Sequence, residues 1–476
     1  MYPNLLMKRA SLTPNRVALR FNDQEWTFAQ LLGKATKYAE KLHTKGITRG
    51  MRVAILASSD VRLVVVLHGC MQIGCELVML NERLSEEELN YQLADSAPDL
   101  LLVDDHAKRT LSFANKWSFD DVEGAEQTAF EVEKEWPKER TITIMYTSGT
   151  TGRPKGVRQS LENHLMNATG SALNLGVQPN DCWLCTMPLF HISGFSILMR
   201  SVIYGMTVSL HTKFDALAAV EEILSGTVTR MSVVAVTLER MLTVLEEREL
   251  SFPDTFRSML VGGGPVPLHY LERAIERNIP VLQTYGMTET ASQTTTLASE
   301  DAIIKLGSAG KPLFFANVRI DGVEKIGEIC IKGPHVTQGY VGAAEQKNPL
   351  VDGWLHTGDL GYLDEEGYLF VVDRRSDLII SGGENIYPAE IEQALAKHPA
   401  VKEAGVAGRQ DDKWGQVPVA FVVLKEETTE ESLRAFMKKQ LASYKQPVDY
   451  YFVDQLPRNA SNKLLRREFF NHIKNT

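Results

Sequence analysis

The sequence predicts an α/β protein with a large N-terminal domain, made of two α/β subdomains plus a small β-rich subdomain, and a C-terminal α+β domain. Three observations predict it. At 476 residues the chain is too long for one ordinary core, so a compound domain and a smaller unit are expected. Apolar strand-like runs alternate with helical patterns through the N-terminal half, which implies parallel sheets flanked by helices. From about Gly307 the texture changes to short strands separated by Gly and Asp.

In chain order, Thr27-Phe-Ala-Gln30 is a capping-box pattern, and Leu31, Ala35, Tyr38, Ala39 and Leu42 recur at helical spacing, so a helix begins at Thr27. A strand at Arg52 to Ala57, a buried helix at Val61 to Ile73, and strands at Glu76 to Leu80 and Leu100 to Val103 complete a β-α-β-α-β unit. A second α/β unit takes a strand at Thr141 to Tyr146, a helix after Asn163, and strands near Val202 to Leu210 and Met231 to Val236. The β-rich subdomain spans about 307–372, with strands in Gly327 to Gly333 and Gly367 to Val372. The charged run Asp373-Arg-Arg-Ser-Asp377 is a natural break, although a charge run alone is usually a solvated turn.

Composition narrows the class. A hydrophobic fraction of 44% with 23% charged residues is that of a soluble globular protein. The net charge of −9 argues against general nucleic-acid binding, so an anionic cofactor needs local donors and cations. The N-terminus has no signal-peptide pattern and no apolar run is long enough to span a bilayer, so a cytoplasmic protein without membrane insertion is expected. Five scattered cysteines make no disulfide framework, and Cys182-Trp-Leu-Cys185 reads as core strand rather than a redox or zinc half-site. The oligomeric state is left open, a homo-oligomer included.

The richest segment is Tyr146-Thr-Ser-Gly-Thr-Thr-Gly-Arg-Pro-Lys-Gly156, which follows an apolar strand. Its glycines let backbone approach an anion, the hydroxyls of Thr147, Ser148, Thr150 and Thr151 donate hydrogen bonds beside Gly149, and Lys155 adds charge. A polyphosphate is the natural guest. The order of residues is not that of a Walker loop, and a flexible linker is the plain alternative.

Further segments follow in order: Pro188-Leu-Phe-His-Ile-Ser-Gly194, Gly262-Gly-Gly-Pro265, Gln283-Thr-Tyr-Gly-Met-Thr-Glu-Thr290, Thr357-Gly-Asp359, Asp373-Arg374, Ser381-Gly-Gly-Glu-Asn-Ile-Tyr-Pro388 and Asn459-Ala-Ser-Asn-Lys463. Together they resemble the motif set of the adenylate-forming superfamily, which includes acyl- and aryl-CoA ligases, luciferases and adenylation domains. The resemblance implies ATP, Mg²⁺ and coenzyme A as cofactor and co-substrates for a small carboxylic acid. It implies that Thr284, Tyr285 and Gly286 receive adenine, that Thr288 meets the α-phosphate, and that Glu289 holds Mg²⁺. Asp359 would accept from the ribose hydroxyls beside Arg374, and Gly262, Gly263, Gly264 and Pro265 would wall adenine from the acyl group. Lys463 would neutralise charge developing at the α-phosphorus during adenylation. Gly382, Gly383 and Glu384 would serve the thioester step and the CoA channel.

The same resemblance implies a mobile C-terminal domain, 378–476, that swings about a hinge at 374–377 relative to the N-terminal domain, 1–373. Ser376 and Asp373 depart from the usual hinge pattern, which leaves the pivot residue open. His191, Ser193 and Gly194 would line the acyl pocket, with His191 also a catalytic candidate. Gly307 to Leu313, Asp373 to Glu390 and Leu456 to Arg466 are most similar to the o-succinylbenzoate:CoA ligase family of menaquinone biosynthesis. Such an acid keeps a second carboxylate, for which Arg200 and Gln293 are candidate partners. Lys438, Lys439 and Arg466 are solvated helix faces or CoA phosphate contacts. Another aryl or medium-chain acid, carrier-protein loading, a luciferase-like oxygenase and a non-catalytic nucleotide-binding regulator remain the alternative readings.

Overall fold

A computed structural model of the chain describes all residues except 106–110, 148–153, 264–265, 267, 323–324, 375–378, 387, 458–465 and 474–476. Local chemistry sets the helix starts. Thr27 is the N-cap of the Phe28–Thr44 helix, its Oγ1 accepting from the Gln30 amide at 3.2 Å while Gln30 Oε1 accepts from the Thr27 amide at 2.8 Å. Phe28, Leu31, Ala35, Tyr38, Ala39 and Leu42 form its buried stripe. The Val61–Ile73 helix is buried nearly all round and ends at Gly74, whose φ of 102° is a left-handed cap that a side chain would strain.

Among the described residues two large sheets dominate, and their membership departs from the sequence expectation. The seven-stranded sheet joins Arg52–Leu56, Glu76–Met79 and Leu100–Val103 in parallel and then adds Thr141–Thr147, parallel to Glu76–Met79. The strand expected to open the second unit therefore closes the first, and Lys155–Ser160 hairpins back against it. The nine-stranded sheet has a parallel centre formed by Cys182–Cys185, Thr207–Leu210, Arg230–Val233, Ser258–Val261 and Val281–Met287. It also recruits the Val17–Phe21 strand from the N-terminus. Period and apolarity identify strands; they do not say which strand pairs with which.

A second correction concerns Val202 to Leu210. Residues up to Tyr204 belong to the Ile192–Tyr204 helix, and only Thr207–Leu210 is strand. A continuous apolar run is compatible with either state, and Gly205, at φ 76°, marks the switch. Likewise Met231 to Val236 divides into the Arg230–Val233 strand and the Ala235–Glu247 helix.

The β-rich subdomain is an antiparallel sheet of Asn317–Asp321, Gly327–Lys332, Leu350–Val351, Trp354–Leu363 and Leu369–Arg374. The C-terminal unit packs the Pro388–Ala396 and Glu430–Gln440 helices on a sheet centred on the long Val401–Asp411 and Gly415–Leu424 hairpin. It docks on the start of the Glu86–Ser96 helix. Ser85 Oγ donates to the Gln440 carbonyl at 2.7 Å, and the Ala442 amide donates to Glu88 at 3.0 Å. The Lys445 ammonium lies between Glu88 at 2.7 Å and Glu390 at 2.8 Å, with all three side chains at most 8% exposed.

Candidate active site

The carboxyl ends of both parallel sheets face one cavity of about 710 Å³, roofed by the C-terminal unit. Thr147, at the end of its strand, and Lys155, at the start of the next, reach it from the first sheet. Gly262, Gly263, Thr284, Gly286, Thr288 and Glu289 reach it from the second, Asp359 from the β-rich subdomain, and Gly382, Gly383 and Glu384 from the C-terminal unit. Segments far apart in sequence thus converge on one space.

A side recess of about 90 Å³ opens beside Tyr285, Gly286, Gly263, Gly307 and Ala309. Gly263 borders both spaces. The Tyr285 hydroxyl donates to Asp359 Oδ2 at 2.8 Å, which fixes the ring and the carboxylate together. At Gly286 a Cβ would collide with the Ser292 carbonyl, so no side chain fits where the two strands cross.

The Thr288–Glu289 turn is held from behind. Gln159 Nε2 donates to the Thr288 carbonyl at 2.7 Å, while Gln159 Oε1 accepts from Thr143 at 2.5 Å. The Thr337 amide donates to the Glu289 carbonyl at 2.7 Å. Asn167 Nδ2 donates to the carbonyls of Thr290 and Gln293 at 2.9 and 2.7 Å. Lys155 has its pKa lowered by burial and by Lys347, with Glu289 pulling the other way.

At the deep end lies Arg200, 2% exposed, on the Ile192–Tyr204 helix. Its guanidinium donates to Gln293 Oε1 at 2.9 Å, to Ser292 at 3.3 Å and to Asn167 at 3.4 Å, and sits 5.2 Å from the Trp183 ring centre. Among the described residues no carboxylate pairs with it, and its Nε has no hydrogen-bond partner. A buried guanidinium met by neutral acceptors keeps its positive charge uncompensated by an ion pair.

At the C-terminal roof, Glu384 lies 3.3 Å from His191 Nε2 and 3.2 Å from Arg83. Burial pushes the Glu384 carboxyl up, but His191, Arg83 and Lys445 outweigh it and hold the pKa at about 2. Gly383, at φ 85°, lies against Val234 of the N-terminal domain so closely that a Cβ would clash with that side chain.

Residues 6–341 match the AMP-binding enzyme family, and residues 390–463 match the AMP-binding enzyme C-terminal domain. The 2-succinylbenzoate–CoA ligase of Geobacillus kaustophilus is 50% identical, over all of this chain and 98% of the relative. The chain belongs to the AMP-binding enzyme family, in its 2-succinylbenzoate–CoA ligase branch. Among solved structures, a double mutant of o-succinylbenzoate CoA synthetase from Bacillus subtilis bound with its product analogue OSB-NCoA superposes at a TM-score of 0.94, with 46% identity and 98% of both chains covered. The same enzyme in complex with the acyl-adenylate intermediate OSB-AMP, also 46% identical, covers 98% of this chain and 97% of its own at a TM-score of only 0.75.

Magnesium is implied by this family, and the residues present fit it. Of the cavity's carboxylates, Glu289 adjoins Thr288 and shares the cavity with Lys155, and a single carboxylate suits an ion that completes its shell with phosphate oxygens and water. Glu289 would hold it, and the bound ion supplies neutralisation of phosphate charge.

Several expectations find other places. Gly194 does not line the cavity; a Cβ there would collide with the Met187 and Pro188 carbonyls, so the glycine permits the turn that carries His191 and Ser193. Arg466 forms a two-pronged ion pair with Glu392 at 2.8 Å, a contact within the C-terminal unit. Cys182 and Cys185 are buried on one strand, their thiols pushed by burial up to about 12, which is the core-strand reading. Ser148, Gly149, Thr150, Thr151, Gly264, Pro265, Lys463 and the Arg374 side chain lie outside the described residues. Sequence reasoning missed Arg83, Trp414, Tyr444 and Lys445, which all line the cavity. No local pattern marks them, because each acquires its place only when the two domains meet. No described helix is long and apolar enough to cross a membrane.

Proposed function

We propose that this protein is a 2-succinylbenzoate–CoA ligase of menaquinone biosynthesis, with ATP, Mg²⁺ and coenzyme A drawn from the cytoplasm. The acid and ATP give an acyl-adenylate and pyrophosphate; the CoA thiol then attacks the acyl carbon, loses its proton, and AMP leaves. Beyond the family likeness, Arg200 is the observation that carries the substrate reading, because an acid with two carboxylates can present one to the α-phosphorus and seat the other on a buried guanidinium.

In this reading adenine enters the recess at Tyr285, the ribose lies on Asp359, and the phosphates run toward Thr147, Lys155 and Thr288. Glu384, kept ionised, orients His191 at the roof where thiol and adenylate would meet. The superposition at 0.94 supports assigning the described arrangement to the thioester step, with the Ser381 to Glu384 loop at the cavity. A swing about 374–377 would exchange that loop for Lys463.

The test is CoA-thioester formation across a panel of acids, repeated with Arg200→Met. For 2-succinylbenzoate the variant is expected to lose roughly a hundredfold in kcat/KM, the cost of one charge-assisted interaction, while a monocarboxylate analogue lacking the second carboxylate changes little. An equal loss for both acids would remove Arg200 from recognition. A better acid elsewhere in the panel would remove the substrate assignment.

A further inference from the structure

We propose that the outer face of the β-rich sheet carries a binding site for a soft divalent cation of the Zn²⁺ type, built by Cys330, His356 and Asp321 with Glu328 at its edge. It is separate from the Glu289 position and does not depend on the identity of the acid.

Three strands bring these residues together. Across Asn317–Asp321 and Gly327–Lys332 the register pairs Asp321 with Glu328 and Arg319 with Cys330; across Gly327–Lys332 and Trp354–Leu363 it pairs Cys330 with His356. Directly opposed residues share a face, and so do residues two apart, so the set is held by the backbone ladder rather than by a loop. One ligand atom from each of Asp321, Cys330 and His356 lies within 4.8 Å of the others. Cys330 Sγ is 3.5 Å from His356 Nδ1. Zinc–sulfur and zinc–nitrogen bonds at a tetrahedral angle place those two atoms about 3.6 Å apart. Glu328 Oε2 is 3.0 Å from the same nitrogen, close enough to complete the shell as a further ligand.

The donor set selects the ion. A thiolate and an imidazole favour Zn²⁺ over the oxygen-seeking Mg²⁺ and Ca²⁺. Burial raises the Cys330 thiol pKa, Arg319 beside it acts in the opposite sense, and the Glu328 and Asp321 carboxylates raise it further, a charge that a bound cation would offset. The Arg319 guanidinium also stacks over Trp354 at 4.5 Å. Glu328 links the site to the ribose-facing turn, since its Oε1 accepts from the Gly358 amide at 2.7 Å and Asp359 follows directly. His356, Thr357, Gly358 and Asp359 also line the central cavity. Occupation would therefore be felt where the nucleotide sits.

Untagged, chelator-treated protein titrated with Co²⁺ reports the site through its spectrum. One cobalt per chain with a thiolate-to-cobalt charge-transfer band is expected, displaced by Zn²⁺ and lost in Cys330→Ser, with Asp321→Asn weakening it. The other four cysteines are buried elsewhere and stay unchanged in the variant. Zn²⁺ should raise KM for ATP severalfold in the wild type and leave Cys330→Ser unaffected. Absence of the band in wild-type protein, or its persistence in a folded Cys330→Ser, would overturn the proposal whether or not the enzyme proves to use 2-succinylbenzoate.

Discussion

At the scale of single residues, burial governs what titrates. His68, His164 and His335 are at most 4% exposed, and burial lowers their pKa values to about 4, about 3 and about 4. All three are neutral in the fold and would take up protons near pH 6.5 once unfolded. The unfolded chain binds more protons as pH falls from 7 to 5, so the histidine contribution to stability is full at neutral pH and declines through that window. The expected loss is about 2 kcal/mol per histidine at pH 5. Denaturant midpoints at pH 7 and pH 5 measure it; a His335→Gln variant that keeps its fold should show a shallower decline, and an unchanged slope would contradict the assignment. None of this is visible in the sequence, where a histidine carries no sign of its depth. Arg200 shows the same limit: its candidacy is legible, but its neutral partners, Asn167, Ser292 and Gln293, arrive from other segments.

Elements are legible where the cause is local and ambiguous where it is not. The Thr27 capping box marks the start of the first long helix, and both of its hydrogen bonds form. The apolar run Val202 to Leu210 reads as strand because its pattern lacks a period, and only the left-handed turn at Gly205 separates helix from strand there. Ser85 and Glu88 form another box, with Glu88 accepting from the Ser85 amide at 2.8 Å and Ser85 from the Glu88 amide at 3.2 Å. The same two side chains also hold the C-terminal unit, which no local pattern reveals. Glu88→Gln preserves a competent cap and removes the charge facing Lys445. It is expected to slow conversion of preformed adenylate to thioester roughly tenfold or more while leaving acid-dependent pyrophosphate exchange unchanged. Equal slowing of both half-reactions would show that the contact serves the fold rather than the pose.

On the scale of the whole molecule, chain order misleads more than element type. The sequence separates two consecutive α/β units, yet Thr141–Thr147 completes the first sheet and Val17–Phe21 joins the second. The motif positions are nevertheless legible, and the cavity gathers Thr147, Lys155, Thr288, Glu289, Asp359 and Glu384 from distant parts of the chain into one space. The two-pose reading divides the chemistry between variants. Lys463→Ala should reduce pyrophosphate exchange about a hundredfold or more and spare thioester formation from preformed adenylate. Gly383→Ala, whose Cβ meets Val234 across the domains, should do the reverse. Stopped assays of each half-reaction measure both, and a Lys463→Ala protein defective in both steps would end the division of labour.

The docked Lys445 with its two carboxylates has a thermal consequence. Under the proposed two-pose cycle each turnover would return these groups to water and then strip their hydration again. Hydration of charge grows less favourable on warming, so the penalty for closing shrinks with temperature while the ionic attraction persists. The closed arrangement should therefore gain population as the protein is warmed.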